Sequence, residues 1–321
     1  MNPAAKITAF TAALAASFGG AYGVGLTFGP HPDTGAPERS GHPVSAAPHA
    51  DDGRTDPPAG GLQISEGGYT LDLKTPRVEA EQQSELRFAI RDRTGRQITA
   101  FQREHDKELH LILASRDLRT YRHLHPTRAA DGTWSTPVEL PAAGDYRVFA
   151  DFTPAGKNAD DLTLGADLAV SGTYEAAELP KPALTTSVDG YTVSLNGSLR
   201  PGTAERIAFT VRKDGRPVSD LQPHLGAYGH LVALRAGDLA YLHVHPDGAP
   251  GDGATEPGPD ISFTATAPSS AAYRLFLDFK HDGVVRTAAF TVPSGTAMGT
   301  PSPSESADGS SGGHGTGGHG H

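Results

Sequence analysis

The chain has 321 residues, with 39 Gly, 26 Pro, a net charge of −10 and no Cys, which fits two turn-rich globular units with tails. The missing thiols exclude disulfide scaffolds, thiol catalysis, Cys-linked lipid anchors and thiolate metal sites. The acidic balance, without any Lys/Arg-rich run, excludes the electrostatic footprint of nucleic-acid binding.

In chain order, Lys6 is followed by Ile7 to Phe28, a stretch without a charge built largely from Ala, Gly, Thr, Leu and Phe. Residues 1–28 read as a signal peptide, with small residues for cleavage at Gly19-Gly20-Ala21, or as a retained signal anchor, since ~20 apolar residues span a bilayer. Both place the rest outside the cytoplasm, secreted or anchored by residues 7–28, and confine membrane contact to that segment. Residues 29–61, mainly Pro, Gly, Ala, Asp and His, read as a disordered linker. Residues 294–321 read as a disordered Ser/Gly/Pro-rich tail in which His314, His319 and His321 stand on a glycine chain as a low-affinity metal collector.

Between them the chain repeats itself, as residues 62–172 and 183–293. Gly68-Tyr69-Thr70-Leu71 returns as Gly190-Tyr191-Thr192-Val193, and Tyr146-Arg147-Val148-Phe149-Ala150-Asp151-Phe152 returns as Tyr273-Arg274-Leu275-Phe276-Leu277-Asp278-Phe279. Short runs rich in β-branched and aromatic residues alternate with Gly/Pro/Asp clusters, and no 3.6-residue apolar period persists. Strands are expected near 69–74, 86–92, 109–114, 120–125, 133–139, 146–152 and 162–170. In the second copy they are expected near 191–195, 206–212, 229–234, 240–245, 261–266, 272–279 and 284–291. Seven antiparallel strands in about 110 residues predict two tandem immunoglobulin-like β-sandwiches, all-β apart from the N-terminal hydrophobic helix.

The chain's 15 His residues are its compositional outlier. His110, His123 and His125 return as His230, His243 and His245, each pair 120 positions apart, and a Pro follows each His-x-His. Residues two apart on a strand share a face, so His123 projects with His125 and His243 with His245. Hairpin turns centred on Arg116-Asp117 and on Ala236-Gly237 pair His123 with His110 and His243 with His230. Each repeat then gathers three imidazoles on one face, a set that suits Cu(II) or Zn(II). Asp151 and Asp278 stand at equivalent places and could ligate or orient an imidazole; the competing assignment pairs them with Arg147 and Arg274. His281, close to Asp278 in the second copy alone, is a further candidate, and His105 and His224 are candidate outer ligands. The competing reading of the cluster is a set of hydrogen-bonded rim histidines.

Asn196-Gly197-Ser198 matches a glycosylation acceptor. No Gly-x-Ser-x-Gly elbow, phosphate loop, dinucleotide fingerprint or His-Glu-x-x-His helix is present, so an enzyme is not expected.

At Leu109 to Leu111, Asp117-Leu118, His123 to Pro126, Asp131 to Trp134 and Tyr146 to Phe152 the chain resembles a group of bacterial, actinobacterial-type exported proteins of immunoglobulin-like fold. The second copy keeps the histidines but lacks the Asp-Gly-Thr-Trp turn. The resemblance implies an extracytoplasmic protein loosely associated with heavy-metal handling. The function expected is therefore an extracytoplasmic Cu(II)- or Zn(II)-binding protein for buffering, delivery or resistance, partnered by an envelope metal transporter or another envelope protein. The alternative is a non-enzymatic structural or interaction module whose histidines are incidental.

Overall fold

The computed structural model describes residues 59–295 apart from His243, and for His245 the backbone alone. The expectations for residues 1–58 and 296–321, the tail histidines His314, His319 and His321 among them, and for His243 lie outside the described residues. Among the described residues there is no helix.

In the first repeat the strands are β1 (Ser65–Glu66), β2 (Tyr69–Leu73), β3 (Arg77–Glu79), β4 (Ser84–Arg91), β5 (His110–Ser115), β6 (Tyr121–Leu124), β7 (Thr127–Arg128), β8 (Thr133–Val138), β9 (Gly144–Phe152) and β10 (Leu162–Ser171). One sheet has the order β1-β2-β4-β8-β7 and the other β3-β10-β9-β5-β6, with β3 parallel to β10. The second repeat contains β11 (Thr185–Val188), β12 (Tyr191–Asn196), β13 (Ala204–Lys213), β14 (Arg216–Pro217), β15 (Gly229–Arg235), β16 (Tyr241–Leu242), β17 (Val244–Pro246), β18 (Asp260–Thr266), β19 (Ala272–His281) and β20 (Val284–Pro293). Its sheets are β11-β12-β13-β18-β17, with β14 on β13, and β16-β15-β19-β20. Both repeats are immunoglobulin-like sandwiches.

Period-2 alternation builds each interior. On β4, Leu86, Phe88 and Ile90 point inward to meet Trp134, Tyr146 and Val148. On β13, Ile207, Phe209 and Val211 do the same against Phe263, Tyr273 and Phe290. A tyrosine corner locks the start of the long central strand in each repeat. Tyr146 Oη donates to Ala142 O at 2.9 Å, and Tyr273 Oη donates to Ser269 O at 2.8 Å.

A third apolar cluster joins the repeats. Ile112, Ala114, Leu118, Tyr121 and Phe149 of the first pack against Val232, Leu234, Leu239, Tyr241 and Phe276 of the second. The rings of Tyr121 and Phe276 stack with centroids 4.1 Å apart. The sheet containing β5 and β9 therefore buries both faces, one in its own sandwich and one against the sheet containing β15 and β19. The chain just before β1 enters the same junction: Gly60 and Tyr241 exchange two backbone hydrogen bonds, and Gly61 N donates to Thr163 O at 2.7 Å. Glycine is needed here. A Cβ on Gly61, at φ +73, would lie 2.4 Å from the Phe149 ring, and one on Gly165 would lie 1.9 Å from Gly61 O.

Two sequence expectations are corrected. The hairpin register is shifted by two residues, so His123 lies opposite Ile112 rather than His110, and Leu242 lies opposite Ala233. The cause is a longer turn. Ser115 N donates to Thr120 O, Leu118 takes φ 57, and Asp117 Oδ1 accepts from Ser115 Oγ and Arg119 N. A shift of two keeps every side chain on its face, so the histidines of the first hairpin still share one. Residues 120–125 and 240–245 are also not single strands. After Leu124 and after Leu242 the chain crosses to the other sheet of its sandwich, where β7 and β17 pair with β8 and β18. His125 thus sits in the crossing, and His245 lies in β17 opposite Thr264, away from the sheet that holds His230.

Candidate metal centre

His110 opens β5, His123 lies on β6, and His125 follows where the chain leaves the sheet. The three are partly buried, and one nitrogen from each lies within 4.8 Å of the others. The ring centroids stand 5.3 Å (His110 to His123), 5.2 Å (His110 to His125) and 4.8 Å (His123 to His125) apart. Imidazoles on one tetrahedral ion with bonds of ~2.0–2.1 Å have centroids about 5 Å apart. The first repeat's trio therefore has the spacing of a ligand set.

The hydrogen bonds around the trio fix where its protons sit. His110 Nε2 lies 3.3 Å from the Glu104 carbonyl oxygen, and a carbonyl only accepts, so Nε2–H is the donor and Nδ1 keeps a lone pair. His123 Nδ1 donates to the Asp278 carboxylate at 2.9 Å, which leaves the lone pair on Nε2. These two lone-pair nitrogens then face each other at 3.1 Å. A proton on His110 Nδ1 would relieve that contact, but it would turn a bare nitrogen toward the Glu104 carbonyl. His125 Nε2 is buried without a hydrogen-bond partner. Two nitrogen lone pairs thus face each other with no donor between them, and a third ring nitrogen, His125 Nε2, is buried without a partner, an arrangement that costs free energy and that a cation would relieve.

Burial keeps His110, His125 and His230 neutral. It lowers His110 to about 3, helped by His123, lowers His125 to about 3, again with His123 next in effect, and lowers His230 to about 4. Neutral imidazole is the form that binds metal.

The carboxylates are arranged across the repeats rather than within them. Asp278 of the second repeat accepts from His123 and, at 3.5 Å, from Tyr121 Oη, both of the first repeat, as well as from its neighbour Thr287. Asp151 of the first repeat accepts from Tyr241 Oη of the second at 3.4 Å and from Thr163. Burial, reinforced by the adjoining carboxylate, raises Tyr121 and Tyr241 well above the usual phenol value, so both hydroxyls remain donors. Burial, and then Asp161, pushes Asp151 well above the usual carboxylate range. Pairing with Arg147 and Arg274 is not made: Arg147 bonds Asp167 and Gly61 O, and Arg274 bonds Thr291. Asp278 therefore orients the His123 ring, while Asp151 bonds no described imidazole.

His230, the counterpart of His110, approaches the first repeat's trio, with centroids 6.1 Å from His123 and 6.4 Å from His110. His105 and His224 flank the group, His105 5.2 Å from His230 and His224 6.3 Å from His125. His281 belongs to a different network, with Nδ1 2.7 Å from Tyr191 Oη and Nε2 3.0 Å from Asp220. A cavity of ≈ 90 Å³ adjoins the trio, lined by His110, His123, His230, Asp151 and Tyr241 among others.

Fold and site together define a tandem immunoglobulin-like protein with a histidine cluster at the junction of its repeats. The chain belongs to the family described as a domain of unknown function (DUF8832), whose model matches residues 63–161 and again residues 186–296. No curated protein matches it. Among solved structures it is similar to the Escherichia coli adhesin FdeC, at 15% identity over 74% of this chain and 66% of that one, with a TM-score of 0.22. It is also similar to invasin, a bacterial integrin-binding protein (12% identity, 72% of this chain, 41% of that one, TM-score 0.21), and to a marsupial T cell receptor (13%, 69%, 94%, 0.22). Identities and TM-scores this low carry no functional meaning.

Proposed function

We propose that this chain is a non-enzymatic, extracytoplasmic protein that binds a divalent cation of the Cu(II) or Zn(II) class through His110, His123 and His125, for buffering, delivery or resistance. The observation that carries the reading is the contact of two lone-pair nitrogens, His110 Nδ1 and His123 Nε2, at 3.1 Å, with one nitrogen of His125 within 4.8 Å of the group. Two nitrogens on a tetrahedral ion lie about 3.3 Å apart when the bonds are ~2.0–2.1 Å, close to the spacing of that pair. The chain offers no thiolate, so imidazole and carboxylate are its metal ligands. The Asp278 to His123 bond is the carboxylate–histidine arrangement that holds a ligand's tautomer. An extracytoplasmic setting rests on the charge-free stretch from Ile7 to Phe28 and on the resemblance to exported proteins of heavy-metal handling.

The test is calorimetric titration with Zn(II) and Cu(II) on the full chain carrying His314→Ala, His319→Ala and His321→Ala, which removes the tail as a competing site. Saturable binding that disappears when His110, His123 and His125 are also replaced supports the reading. Absence of binding, or binding that survives those replacements, overturns it.

A second reading is favoured by one observation. The interlocked apolar cluster and the crossed tyrosine–aspartate bonds hold the two sandwiches together without an ion. The chain would then be a rigid envelope module for a protein partner, with the histidines as part of its internal joint. Absence of binding in the same titration is the outcome this reading expects.

A further inference from the structure

We infer that the ion is held jointly by the two repeats, with His230 Nδ1 of the second supplying a fourth nitrogen to the trio of the first. This rests on the trio being a metal site, and it changes what the site is: one ion clamped at the junction in place of a site private to one sandwich.

Three features support it. The first is position. His230 on β15 is the register partner of Asp278 on β19, and Asp278 holds His123 at 2.9 Å, so the second repeat inserts an imidazole and a carboxylate side by side against the trio. The second is the state of the ring. His230 Nε2 donates to the carbonyl of His224 at 2.8 Å, the counterpart of the bond from His110 Nε2 to the carbonyl of Glu104, each six residues upstream. Both tethers place the proton on Nε2 and leave Nδ1 as the atom able to bind a cation. Both carbonyls are also presented alike, from tight two-residue turns, His105-Asp106 and Leu225-Gly226, with φ between +49 and +73.

The third is space. His230 stands 6.1 Å from His123 and 6.4 Å from His110, against about 5 Å for two imidazoles on one tetrahedral ion. Closing the gaps to His110 and His123 takes a movement of about 1 Å, and the ≈ 90 Å³ cavity lined by His110, His123 and His230 leaves room for it. Binding then draws the sandwiches together, so the ion strengthens a joint that the apolar cluster already forms.

The experiment uses the full chain with the three tail histidines replaced by Ala, loaded with one equivalent of Cu(II) and, separately, titrated with Zn(II). Pulsed electron paramagnetic resonance counts the imidazoles on copper. The expected count is four in the parent and three in His230→Gln, with Zn(II) affinity reduced by at least the ~10–100-fold that loss of a mere supporting partner of a metal ligand costs. A count of three in the parent overturns the inference without any variant. A count and an affinity unchanged in both His230→Gln and His230→Ala overturn it too, while leaving the trio standing. A parent that takes up neither metal removes the trio reading itself. Circular dichroism of the metal-free variants verifies that each is folded.

Discussion

Asp278, on β19 of the second repeat, accepts a hydrogen bond at 2.9 Å from Nδ1 of His123, on β6 of the first. The two residues are 155 positions apart in the chain, and the bond fixes the His123 tautomer so that Nε2 carries the lone pair. Asp278→Asn keeps the shape but weakens the acceptor. Zn(II) affinity measured by competition with a chromophoric chelator is expected to fall ~10–100-fold. An unchanged affinity would show that Asp278 does not orient the ligand.

Phe276 tests the joint between repeats. It is buried at 2% exposure and stacks on Tyr121 with centroids 4.1 Å apart. Phe276→Ala opens a cavity at the junction and is expected to cost ~3–5 kcal/mol. A urea unfolding curve reads this as a lower midpoint, or as two transitions if the sandwiches separate. A loss below ~1 kcal/mol would mean that the site can collapse or that the junction adds little.

The pH dependence of the metal-free protein follows from opposed groups. His110, His125 and His230 have folded values pushed below the ordinary histidine range, so the unfolded chain binds more protons in acid. Their contribution is fully present above about pH 6.5, the ordinary histidine value, and is lost as pH falls toward 3 to 4. Asp151 is displaced the other way. Its contribution is present below the ordinary carboxylate value and fades as pH rises toward its raised folded value. Urea midpoints at pH 4.5, 6.5 and 8.5 are expected to peak at 6.5, with the steeper fall on the acid side, where three groups act together. A midpoint rising steadily into acid would contradict the neutral, buried state of these imidazoles.

Much of the fold is legible in the sequence because sandwich interiors impose period 2. Phe88-Ala89-Ile90 against Phe209-Thr210-Val211, and the paired Tyr146 and Tyr273, place the same strands in both copies. What could not be read is where a turn is centred. Leu118 in a left-handed conformation lengthens the loop and moves the register by two. That step preserves the face, so the trio survived an incorrect pairing. Less legible still was the junction. Leu111-Ile112-Leu113-Ala114 and Leu231-Val232-Ala233-Leu234 are apolar at every position, the mark of a strand covered on both faces. That signal could have placed the two sheets against each other, and with them the tie between Asp278 and His123. Repeat symmetry pointed instead to a self-contained site in each copy, because it says nothing about which copy a side chain faces.

The most direct measurement is anomalous scattering at the zinc edge from crystals of the full chain grown with one equivalent of Zn(II). The expected result is a peak ~2.0–2.1 Å from His110 Nδ1, His123 Nε2 and His125 Nε2. Zinc found elsewhere, with those three nitrogens free of it, would contradict the metal-binding role.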